Sequence, residues 1–178
     1  MTKLLRLYGV VDDSIVDGVD LRYGVFVQGC PHHCPGCHNK DSQALDGGYL
    51  RSTDDVLSDI IASHRRNVTF SGGEPFEQAE ALIDLACELK KRDFNLWIYS
   101  GYRYEDLVAG HPSSCAPQLL ELCDVLVDGP FVESLHSYDL MWKGSSNQRV
   151  IDLNKTRERG VITLFEQDDL GFEIPDSW

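Results

Sequence analysis

A strand that runs directly into a cysteine-rich loop decides the fold of this chain. The first part, Leu21-Arg-Tyr-Gly-Val-Phe-Val-Gln28, is rich in aromatic and β-branched residues and predicts a strand. The second part, Gly29-Cys-Pro-His-His-Cys-Pro-Gly-Cys37, follows without a break, and its two prolines and two glycines exclude a regular helix. The cysteines therefore lie in a loop at the carboxyl end of a strand.

Strands and helices alternate after this loop. Helices are predicted at 53–64, 79–89, 104–109 and 117–123, and strands at 67–71, 95–99, 124–127, 148–153 and 161–165. This alternation indicates an α/β fold with a mostly parallel sheet and right-handed crossovers. Because an eight-stranded (βα) barrel typically takes about 250 residues, we expect a small, partly open (βα) barrel.

Several unusual segments follow the predicted parallel strands. They are the cysteine loop, Gly72-Gly-Glu-Pro75, Tyr99-Ser-Gly-Tyr102 and Asp128-Gly-Pro130. Ligands of α/β sheets and barrels bind at the carboxyl ends of the strands. We therefore expect these segments to meet at one rim.

Length, charge and composition limit the kinds of protein that this chain can be. The 178 residues suggest one domain, placed at 1–165, with an acidic C-terminal tail at 166–178. A formal net charge of −13 argues against nucleic acid or an anionic membrane as the main partner. Neither a signal peptide pattern nor a long apolar run is visible, so we expect a cytoplasmic protein with reduced thiols.

Cys30, Cys34 and Cys37 have the spacing to bind one inorganic group. Thiolates favour iron–sulfur clusters, zinc or copper(I). One alternative is a structural zinc site completed by His32, His33 or His38. An iron–sulfur cluster usually takes four cysteines, so three would leave one iron open for chemistry. The remaining cysteines are expected to pack in the core; they are Cys87, Cys115 and Cys123.

Five motifs, in order along residues 21–153, carry a resemblance to the radical S-adenosylmethionine superfamily. Within it they resemble the family of activating proteins of anaerobic ribonucleoside-triphosphate reductases. The motifs are Gln28-Gly-Cys-Pro-His-His-Cys-Pro-Gly-Cys-His-Asn39, Ser71-Gly-Gly-Glu-Pro75, Tyr99-Ser-Gly-Tyr102, Asp124-Val-Leu-Val-Asp-Gly-Pro-Phe131 and Gly144-Ser-Ser-Asn-Gln-Arg149. The cysteine motif is specific for the superfamily, and the last two motifs point to the activating proteins.

The resemblance implies a reaction. Cys30, Cys34 and Cys37 would hold a [4Fe–4S] cluster whose fourth iron binds the methionine end of S-adenosylmethionine. Reductive cleavage would give a 5′-deoxyadenosyl radical, which takes hydrogen from a backbone glycine of the partner reductase. A low-potential donor such as flavodoxin or ferredoxin would supply the electron. No catalytic side chain is expected beyond the cluster and cofactor.

The resemblance also implies cofactor-binding residues. They are Gly36, Cys37, His38, Gly72, Gly73, Glu74 and Ser100. Gly36 departs from the superfamily, where an aromatic residue beside the adenine is common; His38 would supply a ring, or is a surface histidine. The Gly72–Pro75 segment has the alternative of a plain turn, and so has Ser100.

Other functions remain open on the sequence. They are an activase of another glycyl-radical enzyme, a small-molecule radical S-adenosylmethionine enzyme, and a non-catalytic iron–sulfur or zinc-binding domain. Arg22 and Arg149 are expected to be surface cations rather than ligands of a carboxylate.

Overall fold

The computed structural model of the chain describes residues 2–166, which form one seven-stranded sheet. The strands are β1 (Leu4–Ser14), β2 (Arg22–Val27), β3 (Tyr49–Ser52), β4 (Asn67–Gly72), β5 (Asn95–Tyr99), β6 (Val125–Asp128) and β7 (Arg149–Asp152). The helices are α1 (Thr53–Ala62), α2 (Ala79–Lys90), α3 (Tyr104–Val108), α4 (Ala116–Leu122) and α5 (Leu153–Arg159).

The sheet is parallel at its centre and antiparallel at its edges. Its order is β3-β1-β2-β4-β5-β6-β7, and the pairs β2–β4, β4–β5 and β5–β6 are parallel. The pairs β1–β2, β1–β3 and β6–β7 are antiparallel. With β3 at one edge and β7 at the other, the sheet is not closed. The predicted α/β class is confirmed, with a sheet that is parallel in its core and does not close.

The helices cover one face of this sheet. Alternate side chains of β5 point to opposite faces, as strand geometry requires. Leu96 and Ile98 pack in the main core with residues of all the helices, whereas Trp97 packs in a second cluster on the other face with Val125 and Val127. The helix α1 begins as predicted, because the Ser52 side chain accepts a hydrogen bond from the Asp55 amide.

Two strands at the start of the sheet were not predicted. In the first half of β1, buried and more exposed residues alternate: Leu5 and Leu7 are buried, whereas Leu4 is exposed. The strand β3 has only four residues and no fully buried one, and it pairs with β1 at the edge. Its sequence carries little signal because an edge strand buries little apolar surface.

The strand predicted at 161–165 is wrong. The structure has only a single bridge there, between Ile151 and Leu164. Val161 and Leu164 are 62% and 51% exposed, so little apolar burial supports a longer strand. The proposed tail at 166–178 lies outside the described residues except for Glu166, and the 1–165 domain boundary stays a prediction.

Arg22 is not a surface cation, contrary to the expectation. It is 1% exposed, and its Nη2 donates to the carbonyl of Val68 at 2.8 Å and to Asn95 Oδ1 at 2.9 Å. Its guanidinium carbon lies 5.2 Å from the centroid of the Trp97 ring. Arg22 is therefore part of the packed interior.

The three cysteines outside the loop lie in or against the main core, as expected. Cys123 is fully buried, and Cys87 and Cys115 are half-buried at its margin. In the part of the chain that the structure describes, none of the helices combines the length and apolar character that a membrane crossing needs.

Candidate functional site

The cysteine loop follows β2 and is held by the chain that leaves it. The Gly29 amide donates to the Ser42 carbonyl at 2.7 Å, and the Cys30 amide donates to the Gln43 carbonyl at 3.1 Å. Within the loop, the Cys37 amide donates to the Cys34 carbonyl at 3.2 Å. These bonds hold the loop at the carboxyl end of β2, as the sequence predicted.

The Gly72–Pro75 segment lies directly against this loop. The Gly73 amide donates to the Val27 carbonyl at 2.8 Å, and a Cβ on Gly73 would lie 2.3 Å from the Gly29 carbonyl oxygen. Gly72 has a φ of +95°, and a Cβ there would lie 2.6 Å from the Val27 carbonyl oxygen. Side chains at either position would collide with backbone, so close packing of the two loops requires both glycines.

One cavity of about 130 Å³ lies between these loops. Seven predicted site residues line it: Cys30, Cys34, Cys37, Gly72, Gly73, Glu74 and Ser100. The structure thus brings together segments that are far apart in the sequence. The wall also contains residues to which the sequence assigned no cofactor-binding role; among them are Ser71, Tyr99, Phe131 and Gln148, together with His32, which the sequence named only as a possible zinc ligand. All five belong to the quoted motifs, but the motifs alone do not say which side chains face inward.

A larger groove of about 730 Å³ adjoins the cavity. The two share Cys37, Tyr99 and Phe131 as walls. His38 lines this groove, and its ring centroid lies 5.4 Å from that of Phe131. His38 therefore lies at the junction of the two spaces rather than in the smaller one.

Gly36 lines neither space. It has a φ of +72°, which residues with a side chain rarely adopt, and an added Cβ would lie 2.8 Å from Oε1 of Glu133. The local backbone therefore accounts for the absence of an aromatic residue here. At this rim Phe131 and His38 supply the aromatic rings.

The carboxylate of Glu74 is buried and fully bonded within the protein. Its Oε1 accepts from the Phe76 amide at 3.1 Å and the Ser100 hydroxyl at 3.0 Å. Its Oε2 accepts from the Gly101 amide at 2.8 Å and from His32 Nε2 at 2.9 Å. A carboxylate has about four acceptor sites, so Glu74 links three loops of the rim.

The hydroxyl of Ser100 is also used inside the protein. Besides its bond to Glu74, its oxygen accepts from the Tyr102 amide at 3.0 Å. This is the geometry of a serine turn and favours the alternative interpretation of Ser100. Its role as a cofactor ligand stays a prediction.

Asp128 and Arg149 form an ion pair at the neighbouring strand ends. Asp128 is 1% exposed and accepts from the Tyr104 amide at 2.8 Å. Arg149 Nε donates to Asp128 Oδ1 at 2.9 Å, and Arg149 Nη2 donates to Oδ2. Arg149 also contacts Glu105, with Nη2 donating to Oε2 at 2.8 Å. The expectation of a surface cation is therefore wrong for Arg149, which is half-buried, pairs with two carboxylates of the protein and joins β6, β7 and α3.

Burial raises the pKa of the Cys30 thiol to about 11. A metal binds the thiolate, so loading this site releases a proton and the metal supplies the stabilisation that burial removes. No three His, Cys, Asp or Glu side chains of residues 2–166 are grouped closely enough to hold a single metal ion. The three thiols line one cavity, and thiolates are the usual ligands of a [4Fe–4S] cluster.

Comparison with known proteins gives a family. A family model described as a 4Fe-4S single cluster domain matches residues 16–151. The anaerobic ribonucleoside-triphosphate reductase-activating protein of Salmonella typhi is 36% identical over 157 residues, which are 82% of this chain and 97% of that protein. The chain belongs to this family of activating proteins. The match to the 4Fe-4S single cluster domain confirms the predicted [4Fe–4S] cluster.

Other members of the activating-protein family show similar relationships. The protein of the same name from Escherichia coli K12 is 32% identical over 146 residues, covering 77% of this chain and 92% of that protein. The activating protein from Enterobacteria phage T4 is 30% identical over 144 residues, covering 77% of this chain and 87% of that protein. Among solved structures, QueE from Escherichia coli has a TM-score of 0.41 and 21% identity, covering 55% of this chain and 52% of that chain.

Proposed function

We propose that this chain is an enzyme that activates an anaerobic ribonucleoside-triphosphate reductase by reductive cleavage of S-adenosylmethionine. The observation that carries the proposal is the convergence of Cys30, Cys34 and Cys37 with Gly72 and Gly73 on one cavity, in a chain of the activating-protein family. Three thiols leave one position of a [4Fe–4S] cluster for a ligand that is not a side chain.

Cys30, Cys34 and Cys37 would hold the cluster. When bound, the cluster supplies the electron that cleaves S-adenosylmethionine to methionine and a 5′-deoxyadenosyl radical, which takes hydrogen from a backbone glycine of the reductase. The protein's own part is to bind, orient and exclude water. Its donor set fits this role, because thiolates are the usual ligands of such clusters.

The loop at Gly72 and Gly73 is the element best placed to bind the methionine end of the substrate. Both glycines line the cavity together with the three thiols. The Glu74 side chain is occupied by four donors, so the backbone of this loop, with the negative charge of Glu74 behind it, would face the ligand.

The adjoining groove suits the nucleoside and a large second substrate. Phe131 and His38 offer aromatic surface at the junction of cavity and groove, which is the kind of surface on which a purine stacks. The groove opens from the rim of an unclosed sheet, so a loop of a partner protein can enter and leave. A low-potential donor such as flavodoxin or ferredoxin would deliver the electron in the cytoplasm.

The test is an activation assay under anaerobic conditions. The cluster-loaded chain is reduced and mixed with S-adenosylmethionine and the anaerobic reductase, and the electron spin resonance spectrum is recorded. We expect the doublet of a glycyl radical on the reductase together with methionine and 5′-deoxyadenosine. Cleavage without a doublet would point to another glycyl-radical enzyme or a small molecule as substrate; a loaded cluster without cleavage would leave a non-catalytic iron–sulfur domain.

A further inference from the structure

His32 joins the cysteine loop to the rest of the rim through its side chain. Its Nε2 lies 2.9 Å from Oε2 of Glu74. An ionised carboxylate only accepts hydrogen bonds, so His32 donates this one. The two side chains are 17% and 1% exposed, so water competes little for the bond. Hydrogen bonds to a charged group in such surroundings are among the stronger ones in proteins.

Packing also holds the ring of His32 in place. Its centroid lies 4.4 Å from the centroid of the Tyr102 ring, in an edge-to-face arrangement. A Cβ added to Gly101 would lie 2.4 Å from Cδ2 of His32, so the imidazole rests directly on the backbone of that glycine. Both contacts are with the loop after β5. One side chain of the cysteine loop thus contacts the loops that follow β4 and β5.

The hydrogen bond from His32 completes the set of donors around the Glu74 carboxylate. Among the hydrogen bonds of the described residues, His32 is the only donor that the cysteine loop supplies to Glu74, and Gly101 is the other donor to the same oxygen. Removing the imidazole N–H would leave Oε2 of a fully buried carboxylate with one partner fewer. A buried charged group that loses a hydrogen bond pulls its neighbours into new positions or admits water.

We propose that His32 is a positioning residue. The backbone bond from Glu74 to Gly29 joins only the first residue of the cysteine loop to the Gly72–Glu74 loop. The hydrogen bond from His32 to Glu74 adds a second attachment between Cys30 and Cys34, and so holds the three thiols relative to the backbone that takes the substrate. This role rests on the proposed function for the identity of the substrate, whereas the contact itself rests on geometry alone. In this role His32 acts through Glu74.

Substitutions at two adjacent histidines separate this role from general loop structure. His32→Phe keeps an aromatic ring against Gly101 and removes the donor, and His32→Gln keeps an N–H donor in a similar place. His33 is exposed, so His33→Phe is the matched control. His32→Met is a second variant without a donor, for use if the Phe ring prevents folding.

The first measurement is hydrogen–deuterium exchange on the full-length, cluster-loaded protein. In His32→Phe we expect amides at 100–102 to exchange about tenfold faster, because the Gly101 amide shares its acceptor oxygen with His32. His32→Gln should stay within about threefold of the unmodified protein, and His33→Phe should match it. Unchanged exchange at 100–102 in both His32→Phe and His32→Met would overturn the proposal.

The second measurement is the concentration of S-adenosylmethionine that half-saturates the change in the spin resonance spectrum of the reduced cluster. We expect about a tenfold increase in His32→Phe, with recovery in His32→Gln. An unchanged midpoint beside faster exchange would show that the contact does not position the substrate, and would also overturn the proposal. If the unmodified protein shows no response to S-adenosylmethionine, the proposed function fails, while the exchange data still decide whether His32 holds the loop.

Discussion

The backbone amide of Glu74 donates a hydrogen bond to the carbonyl of Gly29 at 2.8 Å. This bond joins the loop after β4 to the first residue of the cysteine loop, 45 positions earlier in the chain. Parallel pairing of β2 with β4 makes the contact possible, since Val27 is opposite Gly72 in the register. The two loops are therefore one structural unit, built on two adjacent strand ends.

The first prediction concerns Gly73. In Gly73→Ala the new methyl would lie 2.3 Å from the Gly29 carbonyl oxygen, so the two loops must separate. We expect the affinity for S-adenosylmethionine to fall by about tenfold or more, measured by titration of the reduced cluster. Gly9→Ala is the control, because nothing lies within 4 Å of its added Cβ. Equal effects of the two substitutions would contradict the close packing described here.

The second prediction separates the cysteines into ligands and core residues. Cys34→Ala should lose most of its bound iron and all cleavage of S-adenosylmethionine, because two thiols cannot hold the cluster in place. Cys87→Ala should keep both, because Cys87 lies on α2 and packs against the margin of the core. Iron analysis and the visible spectrum after anaerobic reconstitution check this. Iron retention by Cys34→Ala would show that the ligand set is assigned wrongly.

The third prediction concerns the buried guanidinium. Arg22 donates to Thr69 Oγ1 at 2.6 Å, to the Val68 carbonyl on β4 and to Asn95 Oδ1 on β5. Lysine cannot reproduce this planar set of donors, so Arg22→Lys should lower the free energy of unfolding by about 2–3 kcal/mol. The control is Arg66→Lys, since Arg66 is exposed over the Phe94 ring, 5.5 Å from its centroid. This substitution should change the free energy of unfolding by less than about 0.5 kcal/mol. Denaturant unfolding measures both, and similar losses would contradict a buried role.

The fourth prediction is a pH dependence of stability. The hydrogen bonds from Arg149 lower the pKa of the Glu105 carboxyl from 4.5 to about 2. A lowered carboxyl pKa stabilises the folded state above pH 4.5, and this stabilisation is lost as the pH falls from 4.5 towards 2. Glu105→Gln should therefore show a smaller drop in melting temperature between pH 6 and pH 3 than the unmodified protein. An equal drop in melting temperature for the two proteins over this pH range would contradict the role given to Glu105.

The sequence could predict those parts of the fold that local pattern encodes. Apolar periodicity places α2, and β-branched and aromatic runs place β2, β4 and β5, because these central elements bury one face or both. The same criterion explains the errors. The edge strand β3 buries little, so its sequence carries little signal. Residues 161–165 have a strand-like composition, but Val161 and Leu164 stay exposed and only a single bridge forms there.

The candidate site likewise has parts that the sequence could predict and parts that it could not. The spacing of Cys30, Cys34 and Cys37 and the bare backbone of Gly72 and Gly73 are properties of short segments, and sequence alone pointed to them as ligands and as a ligand-binding loop. The partners of Glu74 lie on three different loops, and which donors reach a buried carboxylate is settled only when the strands pair and bring those loops together. The burial of Arg22 has the same origin, because most of its acceptors come from β4 and β5 and are brought together only in the assembled sheet.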